Sequence, residues 1–365
     1  MPLSLPRRRK GLHVAETLLI AAVGGLALSA TGFPAALITG SMLAVAVAAL
    51  IGRPMKVPPL LARLCVVLVG ILLGAVATPE TIKGIATWPL SIAILAASAI
   101  GMMVAVTCYL RVVHKWDLLS ALLGASPGSM AQVLALAAEF KADVRGIAIV
   151  QVMRVLLIVV GLPTGFAILG LAADPALRVP APVSVSLVEL AVLIVVSAAA
   201  AFALLWVRFP GGLMFGAMMS SAVLHGVGLV HATLPRWLAS TAIILLGAVA
   251  GTRFANLNLR MLLDYLGAAF GSFLVGVVVA ASGALMVLAL LPVRIADIAV
   301  AFAPGALDTM MVLALALHLD PVFVGAHHLA RFLVVSFSIA LIARRTGRSP
   351  RRERWRRPGE GTFDD

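Results

Sequence analysis

Two arginines deep inside apolar sequence are the residues whose chemistry most constrains this chain. Arg154 and Arg331 each lie about nine residues into a run of aliphatic side chains, 177 residues apart. A charged side chain at bilayer depth costs about 2.5–3.5 kcal/mol on insertion scales, so a matched pair implies a shared purpose. Gln151 and His328 precede them by three residues, on the same helical face. Upstream of each arginine comes a Pro-Gly pair, Pro127-Gly128 and Pro304-Gly305. Proline removes a backbone donor and clashes with the preceding turn, while glycine permits a sharp bend. Two chemistries fit this pattern. The arginines can bond the carbonyls freed at the breaks, or they can act as fork donors to a carboxylate held between them. Asp308 stands four residues after Pro304, and its counterpart is Ala131. A buried acid there suits proton or ion coupling; it equally suits the positive end of a helix. The candidate solute-binding set is therefore Ser126, Pro127, Gly128, Ser129, Gln132 and Arg154, with Pro304, Gly305, Asp308, Thr309, His328 and Arg331.

The arginines belong to a longer correspondence. Pro58, Leu61, Ala62, Gly70, Gly74, Pro127, Gly128, Asp143 and Arg154 recur 177 residues later as Pro235, Leu238, Ala239, Gly247, Gly251, Pro304, Gly305, Asp320 and Arg331. Phe33, Pro34, Gly40 and Met42 recur at 176, as Phe209, Pro210, Gly216 and Met218. The chain reads as one module written twice. In apolar proteins such duplicates build transporters whose substrate sites lie where the repeats meet. Hydrophobic residues make up 62% of the chain and charged residues 12%, with mean hydropathy +1.11, so this is an integral membrane protein. The net charge of +13 is concentrated at the ends, in Arg7 to Lys10 and in the arginines from Arg344 to Arg357. With no folded basic domain beside them, these runs fit cytoplasmic anchoring on anionic headgroups and exclude direct nucleic-acid reading.

Elements must place these groups. Six apolar segments fall in each half, near 13–31, 33–51, 58–78, 86–110, 117–139 and 145–172, then near 183–207, 209–228, 234–252, 261–291, 296–317 and 321–343. The expected organisation is a basic cytoplasmic stretch over 1–12, membrane repeats over 13–172 and 183–343, and a basic disordered tail over 344–365. The N-terminus resembles a signal peptide, but its removal would delete the counterpart of the helix near 183–207, so it reads as an uncleaved span. The fifth segment of each half is broken at Pro-Gly into pieces too short to cross. Ser129 and Gln132 form a capping-box spacing just after the first break. Each broken segment is either a re-entrant hairpin or a crossing helix with an unwound middle. If each returns to the side it entered, only Lys83, Arg178, Arg236 and Arg294 among the internal basic residues outside the sixth segments oppose the termini. The hairpin obeys the positive-inside tendency better. It leaves five crossings per half, an odd number, so the fold class is all-α polytopic with inverted repeats. Gly70, Gly74, Gly247 and Gly251 are small-xxx-small pairs for close helix packing. Trp88, Trp206 and Trp237 read as interface anchors, Cys65 and Cys108 as small buried hydrophobes, and Asp143 and Asp320 as helix caps. His318, His327 and His328 have no carboxylate or cysteine cluster to complete a metal shell. No nucleophile–base pair or nucleotide loop is present, so neither an enzyme nor a cofactor is expected.

The blocks FPAALITGSM and FPGGLMFGAMM, with GASPGSMAQVLALAAEFKADVRGIAIVQVMRVLLIVVGLP and its counterpart FAPGALDTMMVLALALHLDPVFVGAHHLARFLVV, resemble the AbrB-type membrane duplication family over about residues 13–343. The resemblance implies an inner-membrane transporter. The family also carries two further labels, AbrB-like regulator of gene expression and ammonia monooxygenase. The first half departs from the family habit of an acidic residue after Pro-Gly, because position 131 is Ala, so an acid-dependent role rests on Asp308. Scattered histidines do not supply a copper site, and no soluble DNA-reading head exists. The expectation is a secondary transporter that moves a small anionic organic solute across the inner membrane by alternating access. Both termini would be cytoplasmic, the coupling ion a proton or sodium, and a homo-oligomer is compatible with the sequence. The rival is a membrane-embedded sensor that affects gene expression indirectly.

Overall fold

The computed structural model describes residues 7–76, 88–126, 130–170, 186–255 and 257–345, with backbone alone for 7–10, 131–132, 135 and 339–345. Pro127, Gly128, Ser129, the Gln132 side chain, Lys83, Arg178 and the basic tail beyond Arg345 lie outside the described residues.

Every apolar segment forms helix, and among the described residues there is no strand. The first half contains α1 (Arg7–Ser29), α2 (Ala36–Leu50), α3 (Pro59–Gly74), α4 (Trp88–Val112), α5 (Leu118–Ala125), α6 (Met130–Glu139) and α7 (Val144–Ile168). The second contains α8 (Leu187–Trp206), α9 (Gly212–Gly226), α10 (Arg236–Gly251), α11 (Leu259–Asp264), α12 (Leu266–Leu290), α13 (Ile295–Phe302), α14 (Leu307–Ala316) and α15 (Pro321–Arg345). The segment near 261–291, expected as one helix, is interrupted at Tyr265 and becomes α11 and α12.

Seven of the described helices are long and apolar enough to cross a bilayer. Their outer faces carry exposed aliphatic and aromatic side chains, among them Val195 and Phe202 on α8 and Leu274 and Val278 on α12. Such surface is stable only against lipid, so this is a multi-pass membrane protein. Helices α2, α3 and α9 are shorter than expected, at 15, 16 and 15 residues. At 1.5 Å per residue they reach only about 22–24 Å, against about 30 Å of hydrocarbon. Backbone conformation trims α2 and α9. Left-handed residues Ala35 and Gly211 delay their starts, and Gly52 and Gly228, with φ of 90° and 71°, turn the chain soon after their ends.

These short helices form the centre. α2 packs on α10 and α3 on α9, while α4 packs on α12. The glycine pairs make the first two contacts close. A Cβ on Gly70 would lie 2.6 Å from the Met214 carbonyl oxygen, and one on Gly251 would lie 2.7 Å from Val45 Cβ. Backbone thus meets backbone, as small-xxx-small pairs allow. Cys65 is buried and its Sγ lies 3.1 Å from the Ala242 carbonyl across the α3–α10 contact, but Cys108 is exposed rather than buried. Trp206 and Trp237 are exposed, as anchors would be. Trp88 is not an anchor: it is buried edge-on against Phe323, 5.7 Å between ring centres. Its bulk fills the α4–α15 contact.

Pro163 interrupts the hydrogen-bond ladder inside α7, which leaves the Val159 carbonyl without its usual donor. The Thr39 hydroxyl of α2 supplies one at 3.2 Å. Replacing Gly70 by Val should separate α3 from α9 and cost about 1–3 kcal/mol or more from overpacking. A Cβ on Gly161, in α7, would meet nothing within 4 Å, so Gly161→Ala should hold or raise the melting temperature. Thermal unfolding of both variants in detergent checks the pair. A Gly70→Val protein as stable as Gly161→Ala contradicts the close α3–α9 contact.

Candidate functional site

Each broken segment returns to where it entered. The Asp143 amide, just after α6, donates to Ser120 Oγ in the first turn of α5 at 2.9 Å. The Asp320 amide, just after α14, donates to Asp297 Oδ1 in the first turn of α13, also at 2.9 Å. The two ends of each broken segment are thus hydrogen-bonded together, the arrangement expected of a hairpin. The same aspartates start the next helix. Asp143 accepts from the Gly146 amide, and Asp320 accepts from the Val322 and Phe323 amides. Tyr265 donates to the other Asp143 oxygen at 2.9 Å, and burial together with that carboxylate pushes its phenol above the usual range.

The hairpin bends sit at arginine depth. Arg154 and Arg331 each lie ten residues beyond the first residue of their helices, α7 and α15. At 1.5 Å per residue that is about 15 Å, half the hydrocarbon thickness. The Arg154 guanidinium donates to the Ser126 carbonyl at 3.2 Å and the Ala125 carbonyl at 3.5 Å. Arg331 donates to the Ala303 carbonyl and, at 2.9 Å, to the Gly305 carbonyl. Gln151 donates to the Leu123 carbonyl at 3.2 Å, and His328 Nε2 bonds the Val300 carbonyl at 3.0 Å. All these oxygens lie in or just beyond the last turn of α5 or α13, where carbonyls have no helical partner. One Arg331 Nη2–H meets His328 Nδ1. That nitrogen accepts, which assigns the His328 proton to Nε2. Of the two readings open in the sequence, the carbonyl bond is thus realised. The arginine Nε atoms are buried without a partner among the described residues.

The end of α5 also meets the second break. Gly124 and Ala125 at the end of α5, Pro304 at the second break, and Arg154 line one small void against α4 and α12. Beside it opens a larger cavity of about 350 Å³, within the range of small-ligand sites. Val66, Met130, Gln151, Arg154 and Val155 contribute from the first half. From the second come the turn from Phe209 to Gly212, Arg253, Asp308, His328 and Arg331. The carboxylate of Asp308 faces the Arg253 guanidinium at 3.5 Å. Its other oxygen accepts from the Thr309 amide, so it also serves the first turn of α14.

Of the site residues expected from sequence, Arg154, Gly305, Asp308, His328 and Arg331 line this cavity. Pro304 lines the small void. Ser126 and Thr309 are buried and do not reach the larger cavity. Arg253 and the turn from Phe209 to Gly212 escaped the sequence reading. The recurrence of Phe33-Pro34 as Phe209-Pro210 was a visible signal for the turn. For Arg253 the signal was a cation two residues past Gly251, where the first half has Val76.

The family model described as "Transition state regulatory protein AbrB" matches residues 37–347. The chain is 28% identical over 339 residues to the Escherichia coli (strain K12) protein named "Putative regulator AbrB", covering 89% of this chain and 93% of that one. It is 25% identical over 242 residues to "Uncharacterized protein YhjN" of Bacillus subtilis (strain 168), covering 60% and 62%.

Arg331 is 3% exposed and makes the tighter bonds, whereas Arg154 is only part-buried and makes longer ones. Stranding each buried carbonyl costs about 1–3 kcal/mol. Arg331→Met should therefore lower the melting temperature in detergent more than Arg154→Met does. An equal or smaller drop for Arg331→Met contradicts the grip on the second bend.

Proposed function

This chain belongs to the AbrB family, and on that premise we propose that it is a secondary carrier for a small organic anion. The observation that carries the reading is a cavity beside the second helical break, walled by both halves and by Arg154, Arg253 and Arg331 against one carboxylate, Asp308. Excess positive charge in a mostly apolar wall favours anions. Helical breaks at the midplane, covered by protein, are where carriers hold their cargo.

The halves act as inverted repeats in this proposal. Support comes from reciprocal packing, α2 on α10 and α9 on α3, and from donor pairs at matching positions, Gln151 with His328 and Arg154 with Arg331. With an odd number of crossings per half, the second half is the first turned over, and rocking one against the other exposes the cavity alternately. The charge distribution supports an inner-membrane location with both termini cytoplasmic. Asp308 is the residue we assign to ion coupling.

One observation favours a second reading. The Escherichia coli relative is named as a regulator, which fits a membrane sensor that binds a solute without moving it. Proteoliposomes separate the two. A carrier should take up labelled small organic carboxylates saturably, and Val66→Trp, which fills the cavity from α3, should abolish uptake while the protein stays monodisperse. Carboxylate binding without flux favours the sensor. Flux undiminished in Val66→Trp removes this cavity from the pathway.

A further inference from the structure

The ion pair in the cavity wall says more about the cargo than its sign. Arg253, on the 3₁₀ turn after α10, and Asp308, in the first turn of α14, meet through one Nη2–Oδ2 contact of 3.5 Å rather than a bidentate fork. Both side chains stay open to the cavity, at 23% and 29% exposure. At the corresponding positions of the first half stand Val76 and Ala131. Both members of the pair are therefore absent together at the positions that correspond in sequence.

Arg154 and Arg331 spend their Nη donors on backbone carbonyls. Arg253 has no such duty: among the described residues its side chain bonds Asp308 alone. A simple carboxylate that took Arg253 would strand the Asp308 charge in a mostly apolar cavity, and an unpaired, partly desolvated charge is costly. A ligand that brings its own ammonium group has no such cost. It slides between the two residues and replaces one loose ion pair with two. The remaining wall, including Val66, Met130, Val155, Met214, Leu307 and Phe332, is apolar and suits a hydrocarbon side chain.

We infer that the cavity takes a zwitterion, an apolar α-amino acid whose carboxylate pairs with Arg253 and whose ammonium pairs with Asp308. This rests on the carrier reading above and narrows its cargo from any small organic anion to a carboxylate bearing a neighbouring cation. The cargo's ammonium then occupies the carboxylate otherwise available to a coupling ion, so loaded and empty cavities both keep Asp308 paired.

The test uses the full chain in lipid nanodiscs and calorimetric titration. The probes are leucine, methionine and phenylalanine, each beside its deaminated acid and its decarboxylated amine. At least one amino acid should bind about tenfold or more tightly than either of its single-charge counterparts. Asp308→Asn should erase the preference over the deaminated acid, and Arg253→Gln the preference over the amine. Binding of a deaminated acid to the wild-type protein as tight as that of its amino acid overturns the zwitterion and leaves the anion carrier standing. Failure of all these probes while another carboxylate is taken up by proteoliposomes also overturns the zwitterion alone. If no carboxylate binds at all, the carrier reading falls with it.

Discussion

A bend inside lipid exposes carbonyl oxygens that have neither water nor a helical donor, and leaving each one bare costs several kcal/mol. The two hairpins exist because Arg154 and Arg331 cover those oxygens from the following helices. The charge is costly at that depth on its own and the broken backbone is costly on its own. Together each supplies what the other lacks, through charge-assisted hydrogen bonds to carbonyls already deprived of helical donors. Gln151 and His328 extend the same service one turn earlier, with different chemistry at matching positions. Thr39 does it again where Pro163 frees the Val159 carbonyl.

From that constraint the cavity follows. Each arginine sits ten residues into its helix, about 15 Å along the axis, beside the carbonyls it bonds. The close α2–α10 and α3–α9 contacts, permitted by glycines, bring the two halves near enough to share one space. The end of α5 and Pro304 line the small void, while Gly305, with Arg253 and Asp308 beside it, lines the larger cavity. The donors that hold backbone stand at corresponding sequence positions, whereas Arg253 and Asp308, which line the cavity, have no charged counterparts in the first half.

Much of this was legible in the amino-acid order because its causes are local. Pro304-Gly305 breaks a helix wherever it stands. The glycine pairs announced close contact for the same reason. What the order could not settle was direction. The spacing from Ala303 to Arg331 does not tell whether a guanidinium turns toward a carbonyl or toward a ligand, and it proved to meet the carbonyl while lining the cavity. Trp88 was misread because an aromatic at a helix start has the same sequence context whether it faces headgroups or the Phe323 ring. Arg253 could not be picked out because its partner, Asp308, is 55 residues away and only tertiary packing brings them together.

The grip of the guanidinium on the bend is tested most directly by amide hydrogen exchange along α13 to α15 in the wild type and in Arg331→Met, both in nanodiscs. Loss of the fork should speed exchange from about Ala303 to Met310 while the α3–α9 and α2–α10 contacts keep their protection. Unchanged protection across that stretch in a folded Arg331→Met protein would show that something other than the arginine holds the bend, and would contradict the account.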